Sequence, residues 1–190
     1  LQEELRINLP ELRTAVKLGS ILLPDSIPVY LAGALIAQER SLEKWLCQLP
    51  DESYRSDDVL MSEAQYALVK VIQAGLEKNR KTFTTSLADF KKQLSPKKLL
   101  DPRQDKARFD PLSALLSAIE QKNQTAFDAA WIAQAAAWKK IYGKPSESAN
   151  FDGILDLEAI TVAVIAARFG LTVPSTNPYA PPELLALASQ

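Results

Sequence analysis

Residues 156–170, DLEAITVAVIAARFG, decide the fold. Asp156 has the side chain that accepts a hydrogen bond from a free N–H at a helix start. Glu158 puts negative charge in the first turn, where the helix dipole favours it. Gly170 supplies the left-handed residue that closes a helix, and Pro174 follows it. Between these ends almost every residue is apolar, and a helix apolar on all sides is a buried one. The run Ile160-Thr161-Val162 is poor helix material, so packing and not propensity must hold it helical. The segment therefore reads as a central helix with the others laid against it.

Working outward, an internal repeat relates residues 68–94 to residues 112–138 at an offset of 44. Val71 aligns with Leu115, Ala74 with Ala118, Lys78-Asn79 with Lys122-Asn123, and Phe83 with Phe127. Each copy reads as a helix, a turn at Lys-Asn and a second helix, with Asn suited to cap the second. The spacing lies in the range of two-helix solenoid repeats. Ser62 with Gln65 forms a capping box ahead of the first copy. Between the copies, 95–111 (SPKKLLDPRQDKARFDP) reads as a surface connection, with Asp110 capping a helix that starts at Pro111. Upstream, Leu5, Leu9, Leu12 and Val16 form a helical stripe interrupted at Asn8 and Pro10. From Pro28 to Cys47 a second apolar face includes Leu31, Leu35, Leu42 and Leu46. Residues 48–60 read as a polar loop. Gly143 closes the second hairpin, 144–150 is a polar loop, and a short helix over 183–187 ends the chain. No convincing strand appears, since period-two alternation is absent.

The fold class is all-α: a single-domain stack of antiparallel helical hairpins, HEAT/TPR-like, around a buried C-terminal helix. N-terminal helices occupy 1–60, the repeated hairpins 61–95 and 110–143, and the central helix with its Pro-rich close 151–190.

Composition narrows function. The 190 residues carry a net charge of −1 and no histidine. The commonest general base, the Ser-His and Cys-His pairs and most zinc sites are therefore missing. Six scattered glycines cannot build a phosphate-cradling loop. No enzyme activity, cofactor or metal is expected. A lone Cys47 fits a reducing cytosol, and the expected location is cytoplasmic. No apolar run is long enough to span a bilayer. No signal peptide is visible in a chain that begins at Leu1.

Charge is uneven. Residues 78–108 hold ten bases and three acids, a local +7, while 51–63 hold five acids against Arg55, a local −4. No aromatic stacking platform interleaves the basic stretch, so a solvated face is expected and nucleic acid is not the expected partner. The acidic loop, with Asp51, Glu52, Tyr54, Asp57 and Asp58, is the candidate contact surface for a basic protein, Tyr54 serving as an anchor. Asp152, Asp156 and Glu158 form a carboxylate cluster, but helix capping explains Asp156 and Glu158 without catalysis. Phe127, Trp131, Trp138 and Tyr142 share one helical face, which reads as core.

Three stretches in order, AIEQKNQTAFDAAW, FDGILDLEAITVAVIAARFGLTV and NPYAPPELL, resemble immunity protein family 49 of bacterial polymorphic toxin systems. The matching motifs are Asp152-Gly153, Leu157-Glu158-Ala159, Arg168-Phe169-Gly170-Leu171 and Pro178-Tyr179 before Pro181. The likeness covers roughly 66–187, and the first 60 or so residues add nothing to it. It implies a helical protein that binds and neutralises a cognate toxin, one delivered by a contact-dependent or type VI secretion route. The alternative is a helical-repeat adaptor for another protein or a nucleic acid.

Overall fold

A computed structural model of the chain describes residues 22–55, 61–142 and 155–190, together with Leu12, Thr14 and Val16. Among these residues there are eight α-helices and no strand. They are α1 (Ser26–Ile36), α2 (Arg40–Cys47), α3 (Glu63–Leu76), α4 (Arg80–Gln93), α5 (Pro102–Gln121), α6 (Gln124–Tyr142), α7 (Leu157–Arg168) and α8 (Pro182–Ala188). The expected break at Asn8 and Pro10, the stop at Gly143 and the loop 144–150 lie outside the described residues.

Helix α7 is the centre. Nine consecutive residues, Glu158 to Ala166, are buried. It packs against α1, α3, α5 and α8. Asp156 Oδ1 accepts from the Ala159 N–H at 2.8 Å, the expected cap. Gly170 takes φ +88°, the expected stop. Each β-branched side chain fully buried here contributes on the order of 2 kcal/mol of transfer free energy, more than its poor propensity costs. Thr161 keeps its hydroxyl satisfied at the same depth, 3.1 Å from Pro28 O and 3.0 Å from Leu157 O.

The hairpins α3–α4 and α5–α6 follow the repeat. Ser62 and Gln65 make the complete capping box. Lys78 and Lys122 adopt the left-handed conformation, and Asn79 and Asn123 cap the following helices by accepting from Thr82 N and Ala126 N. At each corner the asparagine N–H returns to an alanine carbonyl, Ala74 or Ala118. This is the 6→1 bond of a Schellman close.

The same corner recurs where the sequence did not show it. Gln38 is left-handed, and the Glu39 N–H donates to Ala34 O at 2.9 Å. The face from Pro28 to Cys47 is therefore two helices and not one. At the end of α7, Leu171 N–H donates to Ala166 O across Gly170. All four corners place a buried alanine four residues before the left-handed position.

One boundary departs from expectation. Helix α5 begins at Pro102, capped by Asp101 through Arg103 N and Gln104 N, and runs straight through Pro111. Asp110 caps nothing, and the second half of the 95–111 connection is helical. An interior proline costs about 3 kcal/mol or more. Phe109, fully buried and edge-on to Phe90 at 5.9 Å, and the buried Leu112 offset that cost from either side of it.

Candidate partner-binding surface

The loop after α2 forms a short 3-10 turn over Asp51–Ser53, tied down by Leu22 N–H donating to Ser53 O at 2.9 Å. Asp51 Oδ2 meets Lys70 Nζ at 2.6 Å, and Oδ1 accepts from the Tyr54 hydroxyl at 2.9 Å. Partial burial pushes the Asp51 carboxyl up, but the bonds from Lys70 and Tyr54 and the lysine charge outweigh it and hold it below the usual carboxylate range. Arg55 makes a bidentate pair with Glu63 at 3.1 and 2.8 Å and lies 4.5 Å from the Tyr66 ring centre. Glu52 is exposed. Asp57 and Asp58 lie outside the described residues.

Two features of this loop differ from its sequence reading. Tyr54 is only 1% exposed and stacks toward Tyr66, so it supports the loop from beneath and offers no ring to a partner in this conformation. Burial, then the bond to Asp51, pushes its phenol well above the ordinary tyrosine range. Lys70, which falls outside the 51–63 count, also covers one of the acids.

The basic stretch divides. Arg80, Lys81, Lys91, Lys92, Lys97 and Lys98 are exposed, while Phe83 and Phe90 between them face the core. Arg108 turns inward, with its side chain 20% exposed. Its guanidinium grips Glu158 through Nε at 3.2 Å and through Nη2, and reaches Asp25 Oδ1 at 3.3 Å. Asp25 Oδ1 also accepts from Gln65 Nε2 at 2.8 Å. Burial draws the guanidinium down, and the Glu158 carboxylate more than reverses that, so it stays charged. Glu158 thus does more than complement a helix dipole: it joins α7 to α5 and, through Asp25, to α1 and α3.

A second seam uses Glu43 and Arg168, 2.6 Å apart, with Arg40 at 3.0 Å from the same carboxylate. Arg168 also donates to Leu76 O. Glu43 stands five residues after its corner, where the other hairpins carry Phe83 and Phe127. An ion pair replaces an aromatic contact there.

Asp156 is fully buried, with Gln134 Nε2 donating to its Oδ2 at 2.7 Å and its own N–H donating to Tyr179 O at 2.7 Å. Burial raises its carboxyl to about 7 despite the bonds from Gln134 and Ala159. Asp152 lies outside the described residues. Among the described residues no group of acids and thiols is arranged to hold a metal ion. The aromatic face of α6 is core over its first half only: Phe127 and Trp131 are fully buried and Trp131 Nε1 donates to Pro174 O at 2.9 Å, whereas Trp138, 6% exposed, and the half-buried Tyr142 line a cavity. No helix among the described residues is long and apolar enough to cross a membrane.

The class defined here is an all-helical protein of cornered hairpins, whose buried charges tie helices together and whose remaining charges line the outside. The sequence profile of Immunity protein 49 matches residues 16–184, and the chain belongs to that family. The match takes in α1 and α2, so the N-terminal helices belong to the family's fold, beyond the stretch that the sequence motifs covered. No curated protein and no solved structure matches the chain significantly.

Proposed function

We propose that this chain binds a cognate bacterial toxin stoichiometrically and neutralises it in the cytoplasm of the producing cell. The toxin on this reading is an effector delivered by contact-dependent or type VI secretion. The observation that carries the reading is the family match over residues 16–184. A core closed by repeated corners and two partly buried ion-pair seams supports it, since a preorganised surface loses little entropy on binding. Inhibition follows from covering the toxin's active site or blocking its closure. Asp51, Glu52, Asp57 and Asp58 form the docking edge for a basic toxin surface, with Tyr54 holding Asp51 in place. Complementary charge of this kind raises on-rates more than affinity.

Co-expression with the product of the adjacent gene tests the function. Rescue of growth together with an equimolar complex is the expected result; a toxin that kills equally with and without this chain overturns it. Charge reversal at Asp57 and Asp58, combined with Glu52→Lys, tests the docking edge. Association at low salt should slow about tenfold or more, and unchanged on-rates remove that edge from the interface.

A further inference from the structure

A cavity of about 340 Å³ opens between α1, α5, α6 and α7. Its chemistry differs from that of the apolar core. Asp25, Arg108 and Glu158 stand on its wall with three aromatic residues, Tyr30, Trp138 and Tyr142. Two carboxylates face one guanidinium, so the wall carries an excess negative charge. The indole of Trp138 is buried, yet its Nε1–H has no hydrogen-bond partner among the described residues. A buried donor without a partner costs about 1–3 kcal/mol.

Three classes of guest can be weighed. An anion would meet Asp25 and Glu158, and the one cation present is already held by both. An apolar guest would strip water from the carboxylates. A cation gains from the excess negative charge and from the aromatic faces, which attract positive charge. A planar guanidinium adds a bidentate fit to a carboxylate and stacks on rings, which an ammonium does not. The volume is at the low end of ligand pockets, enough for one long side chain and its backbone carbonyl.

We propose that this cavity seats one arginine side chain of the protein partner, its guanidinium on Asp25 and against the aromatic side chains of the wall. The source of that arginine rests on the immunity reading above; the preference for a guanidinium does not. Asp25 also bonds Gln65, on the first turn of α3, which carries Glu63 of the Arg55 pair.

The test uses the full chain and the three tryptophan indole N–H signals in a nitrogen-15 correlation spectrum, with Trp138 assigned by Trp138→Phe. N-acetyl-arginine methylamide is titrated beside its neutral isostere, N-acetyl-citrulline methylamide, and beside inorganic phosphate. The expected result is a saturable shift of the Trp138 signal with the arginine probe alone, weakened about tenfold or more by Asp25→Asn. A shift with phosphate and none with the arginine probe overturns the proposal, as does an equal response to citrulline. In a second arm the adjacent gene's product is bound to wild type, Trp138→Phe and Asp25→Asn. Dissociation at least tenfold faster from both variants supports a seated arginine. Equal binding by all three refutes it while leaving the immunity reading intact. A wild type that binds no toxin but still shifts with the arginine probe fails the immunity reading and supports the cavity's guanidinium preference.

Discussion

At Gly75 helix α3 lies directly against Ile165 of the central helix. A Cβ built there would stand 2.8 Å from Ile165 Cγ2, 2.9 Å from Cδ1 and 3.2 Å from Cγ1. Ile165 is fully buried and branched at Cβ, so it cannot swing away cheaply. Gly75→Ala therefore sets two terms against each other. Alanine is worth about 1 kcal/mol over glycine in a helix interior. Overpacking a filled core costs about 1–3 kcal/mol. The expected net is a loss of on the order of 1 kcal/mol, against the gain that propensity alone would give. Ile165→Ala removes all three contacting atoms and by itself costs about 2–5 kcal/mol. In that background the clash is gone, and Gly75→Ala should stabilise by about 1 kcal/mol. The coupling between the two positions is then about 2 kcal/mol, well above the ~0.5 kcal/mol within which independent sites add. Urea unfolding of the four proteins, followed by helical circular dichroism, measures it. If Gly75→Ala raises the midpoint in the wild-type background, or if the two changes simply add, the close approach of α3 to α7 is not what requires glycine there.

The buried Asp156 gives a pH signature. Its native carboxyl sits at about 7, against roughly 3.9 in an unfolded chain, so between those values only the native state holds the proton. Stability from this group therefore rises as pH falls from 8 to 5, by on the order of 2 kcal/mol. Asp156→Asn keeps a capping oxygen and should abolish that rise; equal slopes for variant and wild type would refute the assignment. Glu158→Gln leaves Arg108 only its longer contact with Asp25 and should cost about 3 kcal/mol, whereas Arg108→Met with Glu158→Leu should recover most of it. A double variant no more stable than the single one would show that the seam is not a balanced pair. Lys78→Gly and Lys122→Gly relieve left-handed strain and should each raise the melting temperature by about 2–4 °C per kcal/mol relieved, read by calorimetry. A fall at either position would argue against the left-handed corner.

Much of the fold was written in local letters. Asp156, Gly170, Ser62 with Gln65, and the Lys-Asn corners each act within a turn of their own position, so spacing alone reveals them. The corner at Gln38 escaped because Gln-Glu stands where the others have Lys-Asn. What it shares with them is the buried alanine four residues earlier, and alanine is too common to announce itself. At α5 two identical Asp-Pro signals competed, at 101–102 and 110–111. Both are sound caps, and the first is used because Arg108 and Phe109, lying between them, have buried partners on other helices.

The candidate site was less legible, for one physical reason. Arg108 is one of ten cations between 78 and 108, and nothing within its own helix marks it as the buried one. Its partner Glu158 lies 50 positions away and already had a sufficient local explanation in the dipole of α7. A local explanation for each member conceals the pair, because hydrogen bonds between distant helices leave no period in the sequence. Tyr54 was hidden the same way: inside a polar loop it reads as an exposed ring, yet it is buried, bonded to Asp51 and stacked toward Tyr66. The consequence bears on recognition. Arg108 shares the cavity wall with Asp25 and Glu158, so on the proposal above the surface offered to a basic partner is composed of residues whose first task is to hold α1, α5 and α7 together. A substitution there would change binding and stability at once. For that reason Asp25→Asn, which keeps an acceptor for Gln65 and Arg108 and retains the volume, is the variant that separates the two.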